Sequence, residues 1–212
     1  MKKFKVVLIA AAILFGTHVS AQNSPLTFGV RAGVNFSGIW GDVEELDADS
    51  KVGFQVGVTM DMPLTPALYL MTGLHLTTTG FKFDAGEVLN VSLEGTTNLM
   101  YLQLPIHLGY KFEVGNGTRL VFHGGPYVAY GVGGNTSVGV GIARVSVPSF
   151  EGNEEMDGFN RFDFGVGAGF GIEFSRMTVG LGFDLGLANI HPDSGDDSVR
   201  NWNSHLTVGW RF

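Results

Sequence analysis

The stretch from Arg161 to Phe174, RFDFGVGAGFGIEF, alternates between apolar residues and glycine or charged residues. Successive side chains of a β-strand point to opposite faces, so the pattern predicts a strand with one continuous apolar face. The other face is mostly glycine. Glycine weakens a strand unless a neighbouring group must come close to the backbone, so we expect a crowded environment on that side.

The same alternation recurs along the chain and predicts eight strands. Most of the segments have ten to fourteen residues, and a tilted strand crosses a bilayer with about nine to eleven residues. The eight segments are LTFGVRAGVNFS, KVGFQVGVTMDM, LYLMTGLHLTTTG, MYLQLPIHLGYKF, TRLVFHGGPYVAYG, RFDFGVGAGFGIEF, MTVGLGFDLGLA and NSHLTVGWRF.

The connections between these segments alternate in length. The second, fourth and sixth are short, namely PLTPA, GNG and SR, and the other four are roughly 12 to 30 residues long. The long connections hold fifteen of the 20 carboxylates, and the run from Val138 to Pro148 could extend the fifth and sixth strands. Short turns at one rim and long loops at the other are typical of bacterial outer-membrane barrels, with periplasmic termini and the long loops outside.

Alternation fits two closed folds. A soluble, lipocalin-like barrel fills its interior with apolar side chains, whereas a membrane barrel turns them towards lipid. Three features favour the membrane fold: the apolar face is too bulky for the lumen of eight strands, the other face is rich in glycine, and that face carries both signs of charge. We therefore predict an all-β, eight-stranded, antiparallel up-and-down transmembrane β-barrel in which the first strand pairs with the eighth.

The inward face should carry a paired polar network, because a buried charge needs a partner. The glycines of the sixth and seventh strands would leave room for its large side chains. The predicted network consists of Arg31, Gln55, Asp61, His75, His107, Lys111, Arg161, Asp163, Glu173 and Asp184.

The N-terminus has the pattern of a secretory signal peptide. Lys2, Lys3 and Lys5 precede an apolar run too short for a transmembrane helix, and small residues end at Ala21. We predict a signal peptide over residues 1–21 and a single barrel domain over residues 22–212. The chain has no cysteine, and after cleavage 20 acidic residues remain against 10 basic ones. The net charge near −10 argues against a nucleic-acid partner.

Several sequence segments resemble those of a known family. The signal peptide, YLQLPIHLGYKF, the following GGPYVAYGVGG and the terminal GWRF are similar to those of Bacteroidetes outer-membrane β-barrel domain proteins, often labelled porin-family proteins. The resemblance implies a small barrel of the OmpA or OmpX type in the outer membrane of a Gram-negative bacterium. It also implies assembly by the outer-membrane insertion machinery, which reads a C-terminal aromatic residue such as Phe212. The family offers no catalytic motif.

Candidate chemistry is sparse. Four dispersed histidines of the mature chain fall on the polar face of the strands and His191 falls on a loop, so lumen packing is the ordinary explanation and catalysis the alternative. The acidic loops offer Ca²⁺ ligands without EF-hand spacing, and GVGAGFG lies inside a strand rather than before a helix. We expect no cofactor.

Three functional classes remain open. The favoured one is a non-enzymatic protein embedded in outer-membrane lipid, with an envelope-structural role or with loops that bind an unknown extracellular or envelope partner. The second is a small pore or a transport or secretion component, although eight strands leave little open lumen. The third is a membrane-embedded hydrolase or acyltransferase.

Overall fold

The computed structural model describes residues 26–41, 48–88, 91–140, 143–151, 158–191 and 198–212. The predicted signal peptide lies outside these residues. In the described residues there is no helix that is long and apolar enough to span a membrane. The strands are β1 (Thr27–Gly41), β2 (Ala48–Pro63), β3 (Leu68–Val88), β4 (Val91–Gly115), β5 (Thr118–Val140), β6 (Ala143–Pro148), β7 (Phe162–Phe174), β8 (Met177–Gly186) and β9 (Val199–Arg211).

Eight of these strands form a closed ring. Each of β1 to β5 pairs antiparallel with the next strand, β5 continues to β7, and β7, β8 and β9 follow in order. The ring closes between β1 and β9, with Gly29 opposite Arg211 and Gly41 opposite Val199. The eight-stranded up-and-down barrel and its closure are therefore confirmed. The short β6 lies outside the ring.

The apolar side chains cover the outside of the barrel. On β2, Val52 and Phe54 are 61% and 50% exposed, while Gln55 between Phe54 and Val56 is buried. The same inversion holds on β7, where Phe162 and Phe164 are exposed and Asp163 is buried. Closure pairs the backbone groups that hydrocarbon could not satisfy. The prediction that the apolar face looks outward is confirmed.

One end of the barrel carries three tight turns, at residues 64–67, 116–117 and 175–176. The start of β1 and the end of β9 lie at the same end. We call this the short-turn end and the opposite end the long-connection end. The turn between β4 and β5 contains Asn116, at φ 52°, between two glycines that also have positive φ. Two-residue hairpins favour this backbone because its twist matches that of the strands.

The long connections differ from the sequence prediction. β3, β4 and β5 have 21, 25 and 23 residues, so each runs well beyond the length needed to cross a bilayer. The predicted loop after the third strand was wrong, because β3 ends at Val88 and β4 begins at Val91. Its acidic residues Asp84, Glu87 and Glu94 lie on strands. The periodic apolar signal ends earlier than the strands do, since the protruding part does not face lipid.

Beyond the barrel, the ends of β3, β4 and β5 form a sheet with β6. We call this the protruding sheet, comprising residues 80–88, 91–99, 133–140 and 143–148. The interpretation of Val138 to Pro148 as a strand extension is confirmed for β5, whereas β6 is a separate strand that pairs back onto β5, Val145 opposite Val138.

Candidate functional site

The lumen is layered along its axis, and the layer at the short-turn end is an ion-pair cluster. Lys111 Nζ lies 2.8 Å from Asp61 Oδ2 and 2.9 Å from Glu173 Oε1. Arg119 Nε lies 3.2 Å from Glu173 Oε2, which Arg211 also contacts. These five side chains come from β2, β4, β5, β7 and β9, so a single buried cluster links strands from all around the ring.

A layer of histidines lies above this cluster. The Nδ1 atoms of His107 and His123 are 2.9 Å apart and their rings stack at a centroid distance of 5.2 Å. One of the two nitrogens must donate and the other accept, so the pair requires complementary tautomers. Beside them, Asp184 Oδ2 accepts a hydrogen bond from Gln103 Nε2 at 3.2 Å and lies 3.8 Å from His205 Nδ1. Buried His75 completes this layer.

The next layer is polar but less charged. Asn201 Nδ2 donates to Asp163 Oδ2 at 3.2 Å and lies 3.4 Å from the Tyr101 hydroxyl. Gln55 Oε1 accepts a hydrogen bond from Thr77 Oγ1 at 3.2 Å. These bonds offset the cost of removing amide and carboxylate groups from water.

At the long-connection end the lumen is filled with hydrocarbon. Leu99 and Ile190 are 0% exposed, and Phe150 packs edge-on against Tyr101 with ring centroids 5.5 Å apart. Phe150 lies just after β6 and Ile190 lies after β8, and both side chains are buried against the end of the barrel. We call this group the apolar cap: Ile39, Phe81, Leu99, Tyr101, Tyr127, Ala129, Phe150, Ile190 and Val199.

Glycines make room for the large side chains of the lumen. A Cβ atom on Gly182 would lie 2.2 Å from His205 Nε2, and one on Gly169 would lie 2.4 Å from the His123 ring. A Cβ atom on Gly109 would overlap the ring of Tyr69 in the same way. The glycine-rich face therefore packs tightly against the lumen rings.

Not every predicted network residue lies in the lumen. Arg161 is at the rim of the long-connection end, where its Nη2 lies 3.3 Å from Glu151 Oε1, its Nη1 donates to Gly131 O at 3.0 Å, and its guanidinium lies over the Phe150 ring. The other nine predicted residues face inward, but in separate layers rather than in one network. Phe212 lies at the open end of β9, where its N–H donates to Phe28 O at 2.9 Å.

The sequence analysis missed the apolar cap and the roles of Arg119 and Arg211 in the ion-pair cluster. The signal was present, because the inward parity of each strand continues through Ile39, Phe81, Leu99 and Val199. The sequence analysis assigned these positions to loops, where alternation does not predict which way a side chain points. Phe150 and Ile190 follow no strand pattern, so the sequence gives no period that would place them.

The protruding sheet is held together by hydroxyl and amide side chains. Thr136 Oγ1 lies 3.3 Å from Thr97 Oγ1 and 3.1 Å from Ser149 Oγ, and Ser137 Oγ lies 2.7 Å from Ser146 Oγ on β6. Such cross-strand pairs stabilise a sheet outside the lipid, where apolar faces are not required. In the described part of the chain, no group of three or more histidine or acidic side chains is arranged to hold a metal ion.

A closed ring of strands with lipid-facing hydrocarbon and a polar, layered interior defines an integral outer-membrane β-barrel protein. The family model of the outer membrane protein beta-barrel domain matches residues 20–191. The chain belongs to this family.

Several solved structures are similar to the chain. Ail, the attachment invasion locus protein of Yersinia pestis, in complex with the heparin analogue sucrose octasulfate, is 14% identical, with a TM-score of 0.45 and coverage of 89% of this chain and 100% of that chain. OprG from Pseudomonas aeruginosa is 13% identical (TM-score 0.46; 88% and 95% covered), and the outer membrane enzyme PagL is 12% identical (TM-score 0.48; 86% and 98% covered). Likenesses of this size say nothing of function. No curated protein matches the chain significantly.

Proposed function

We propose that this protein is a non-enzymatic resident of the outer membrane that binds an extracellular or envelope partner through the protruding sheet. The observation that carries the proposal is the edge of β6. Within the described residues, β6 pairs with β5 on one side and with no strand on the other. A free strand edge is a template for adding an extended segment of another protein.

The edge of β6 offers a partner strand an N–H donor at Ser146, whereas Pro148 limits the pairing at its end. Ser149 N–H donates to Gly134 O at 3.2 Å, next to the β6 register. Hydrogen-bonded residues alternate along an antiparallel strand, so the N–H of Ser146 points to the free edge, and Pro148, which has no N–H, takes the next outward position. Val145 is 75% exposed and offers an apolar contact to a partner strand.

The lumen supports a binding role over a pore. Among the described residues, the ion-pair cluster crosses the lumen at the short-turn end and the apolar cap fills it at the other, which supports a barrel without a continuous aqueous path for solutes. Eight strands leave an interior just wide enough for side chains. Planar-bilayer recordings should show no steady conductance, and an open, ion-conducting lumen would favour the pore or transport alternative.

The histidines support a non-enzymatic role. The four on strands face the interior of the barrel, whereas a hydrolase or acyltransferase acting on lipid needs its catalytic base at the lipid face or in the loop mouth. Replacing each histidine of the mature chain by alanine, namely His75, His107, His123, His205 and the loop residue His191, should alter no lipid or peptide hydrolysis by the purified protein. Loss of such an activity in any of these variants would establish the enzyme alternative.

The proposal includes the route by which the protein reaches its membrane. We propose that the signal peptide over residues 1–21 is removed and that the insertion machinery reads the last strand, which ends at exposed Phe212. Outer-membrane lipid would then contact the outward apolar side chains. Replacement of Phe212 by alanine should lower the yield of folded barrel in cells while refolding in detergent stays unchanged.

Partner binding can be tested on the edge itself. The full chain is displayed in the outer membrane of host cells, and partners cross-linked to it are compared between the wild type and three variants. Ser146→Pro removes an outward N–H, Val145→Lys puts a charge on the edge, and Val145→Thr is the matched control because it keeps a strand-forming side chain. Partners should be lost from the first two variants and kept by the third. An identical set in all four, with folding equal, would contradict the proposal.

A further inference from the structure

In the described part of the chain, Arg31 is a lumen cation that forms no ion pair with a carboxylate. Its side chain projects from β1 and is half-buried, and its guanidinium donates to Met71 Sδ at 3.5 Å. Among the residues that the structure describes, no carboxylate lies within 4.0 Å of it, while Asp61 and Asp184 attract it from farther away. A charge inside a membrane-spanning segment ordinarily has a close partner or faces a polar cavity.

Such a cavity lies beside Arg31. It has a volume of about 50 Å³ and is lined on one side by the glycines of β7 and β8. A Cβ atom on Gly180 would find its nearest neighbour, Thr207 Oγ1, at 3.4 Å, so this glycine borders open space instead of a packed ring. The neutral polar and soft groups around the cavity are Thr59, Tyr69, Met71, His123, Thr178 and Thr207. Arg211 and the carboxylates of Asp61 and Glu173 also line it, and both carboxylates are held in ion pairs with the cationic side chains of the cluster.

The size and chemistry of the cavity fit a small oxyanion. A water molecule needs about 10–15 Å³ of such volume, so the cavity has room for three or four oxygen atoms, as in a carboxylate or a phosphate ion. A guanidinium group presents its donors as a planar fork that matches two oxygens of either ion. The threonine and tyrosine hydroxyls can donate to the remaining oxygens.

Charge along the lumen favours entry of an anion from the short-turn end. A second cavity of about 190 Å³ opens there and is lined by Lys111, Arg119 and Arg211. Asp61, Tyr69 and Arg211 line both cavities, so side chains of the ion-pair cluster and the Tyr69 ring lie between them. Within the cluster, Lys111, Arg119 and Arg211 face the two carboxylates of Asp61 and Glu173, and Arg31 lies above them, so the lumen groups there carry more positive than negative charges. Glu113, opposite Arg119, is exposed at the rim.

We propose that Arg31 and its cavity form a binding site for a small oxyanion, carboxylate or phosphate, which enters from the short-turn end. The apolar cap fills the lumen at the opposite end, so the ion does not enter from there. The site is separate from the protruding sheet, so its occupancy does not depend on whether the sheet binds a partner.

The test uses the full mature chain refolded in detergent micelles, with inorganic phosphate, acetate and chloride compared at equal ionic strength. Binding is measured as a saturable rise in the midpoint of thermal unfolding and as broadening of the phosphate ³¹P signal. We expect phosphate or acetate, and not chloride, to saturate. Arg31→Met should raise the Kd at least tenfold, whereas Arg161→Met, which removes a rim arginine, should leave it unchanged.

A second variant separates the cavity from the charge. Gly180→Ala keeps Arg31 but reduces the space, so the Kd should rise at least threefold even if Arg31→Met does not fold. Two results would overturn the proposal: no saturable effect of either oxyanion on the wild type, which would mean that the cavity holds only water, or the same Kd in the wild type and in Gly180→Ala.

Discussion

At the short-turn end of the lumen, charged side chains from five strands meet around Glu173, whereas at the long-connection end the lumen is filled by side chains such as Leu99 and Ile190. The ion-pair cluster joins strands that are distant in the ring, so its integrity is tied to closure of the whole barrel. The apolar cap instead joins two connections to the barrel wall. It can therefore open locally while the strands stay paired.

The difference predicts how each end responds to the loss of one group. A buried charge that loses its partner remains buried at full cost, so an ion-pair cluster fails through a single member. Apolar contacts are lost roughly in proportion to the area removed, and the remaining ones persist. Substitutions at the two ends should thus differ in size and in the extent of the chain that they affect.

The largest effect is expected for Glu173→Gln. The substitution leaves Lys111, Arg119 and Arg211 without their shared carboxylate, whose side chain is only 5% exposed. The free energy of unfolding should fall by about 3–5 kcal/mol, measured by urea unfolding of the barrel in lipid vesicles. The control is Glu151→Gln, at a carboxylate that is 71% exposed, where the change should be about 0–1 kcal/mol. Equal losses in both variants would contradict the central place of Glu173.

The next effect is expected for Phe150→Ala, in the apolar cap. Removing a buried phenylalanine costs about 3 kcal/mol or more, and Phe150, which lies at the edge of the cap, should fall at this lower bound. The loss should appear as faster hydrogen exchange in residues 149–151 and 158–161, with the urea midpoint of the barrel unchanged. A drop in that midpoint as large as for Glu173→Gln would mean that the cap is not separable from the ring.

Between the two ends, substitution of a glycine that packs against a lumen ring should have a smaller effect. Gly182→Ala places a Cβ atom 2.2 Å from His205 Nε2, so the ring must shift and unfolding should become easier by about 1–3 kcal/mol. Gly133→Ala is the matched control, since a Cβ atom there meets nothing within 4 Å. Urea unfolding measures both. A Gly182→Ala barrel as stable as the control would show that His205 has room to move.

The sequence predicted the barrel but not the side-chain packing at its two ends. Alternation identified every strand of the ring because lipid imposes a continuous apolar face, and it placed Asp61, Lys111 and Glu173 on the inward face. It could not pair them, because partners such as Lys111 and Glu173 are 62 residues apart and their meeting depends on the register and shear of the ring. Cleavage after Ala21 and the resemblance to Bacteroidetes proteins stay predictions.

The long-connection end was harder for a physical reason. Above the lipid, both faces of β4 and β5 carry Ser, Thr or Asn side chains, and the outward face of β3 carries Thr78 and Lys82. The outward apolar half of the period-two signal therefore stops although the strands continue. Phe150 enters the lumen from a connection, and its contact with Tyr101 depends on chain folding rather than on a period. The same reasoning explains Arg161, which has inward parity but precedes β7 and so lies on the rim.

The smallest effect is expected for Arg161→Gln, which tests the charged contact on the cap itself. The Arg161 and Glu151 side chains are 32% and 71% exposed, so water already screens their ion pair. Arg161 also donates a hydrogen bond to Gly131 O and lies over the Phe150 ring, so the ion pair is only one of its contacts with the cap. The free energy of opening the cap should fall by about 0–1 kcal/mol, seen as slightly faster hydrogen exchange in residues 149–151 and 158–161. In the wild type, raising salt to 1 M should produce a similar change there, because screening acts on exposed pairs, and should leave the urea midpoint set by the Glu173 cluster unaffected. If salt instead lowered that midpoint more than it loosened the cap, the ion-pair cluster would be open to solvent, and the contrast between a buried ionic end and an apolar end would be lost.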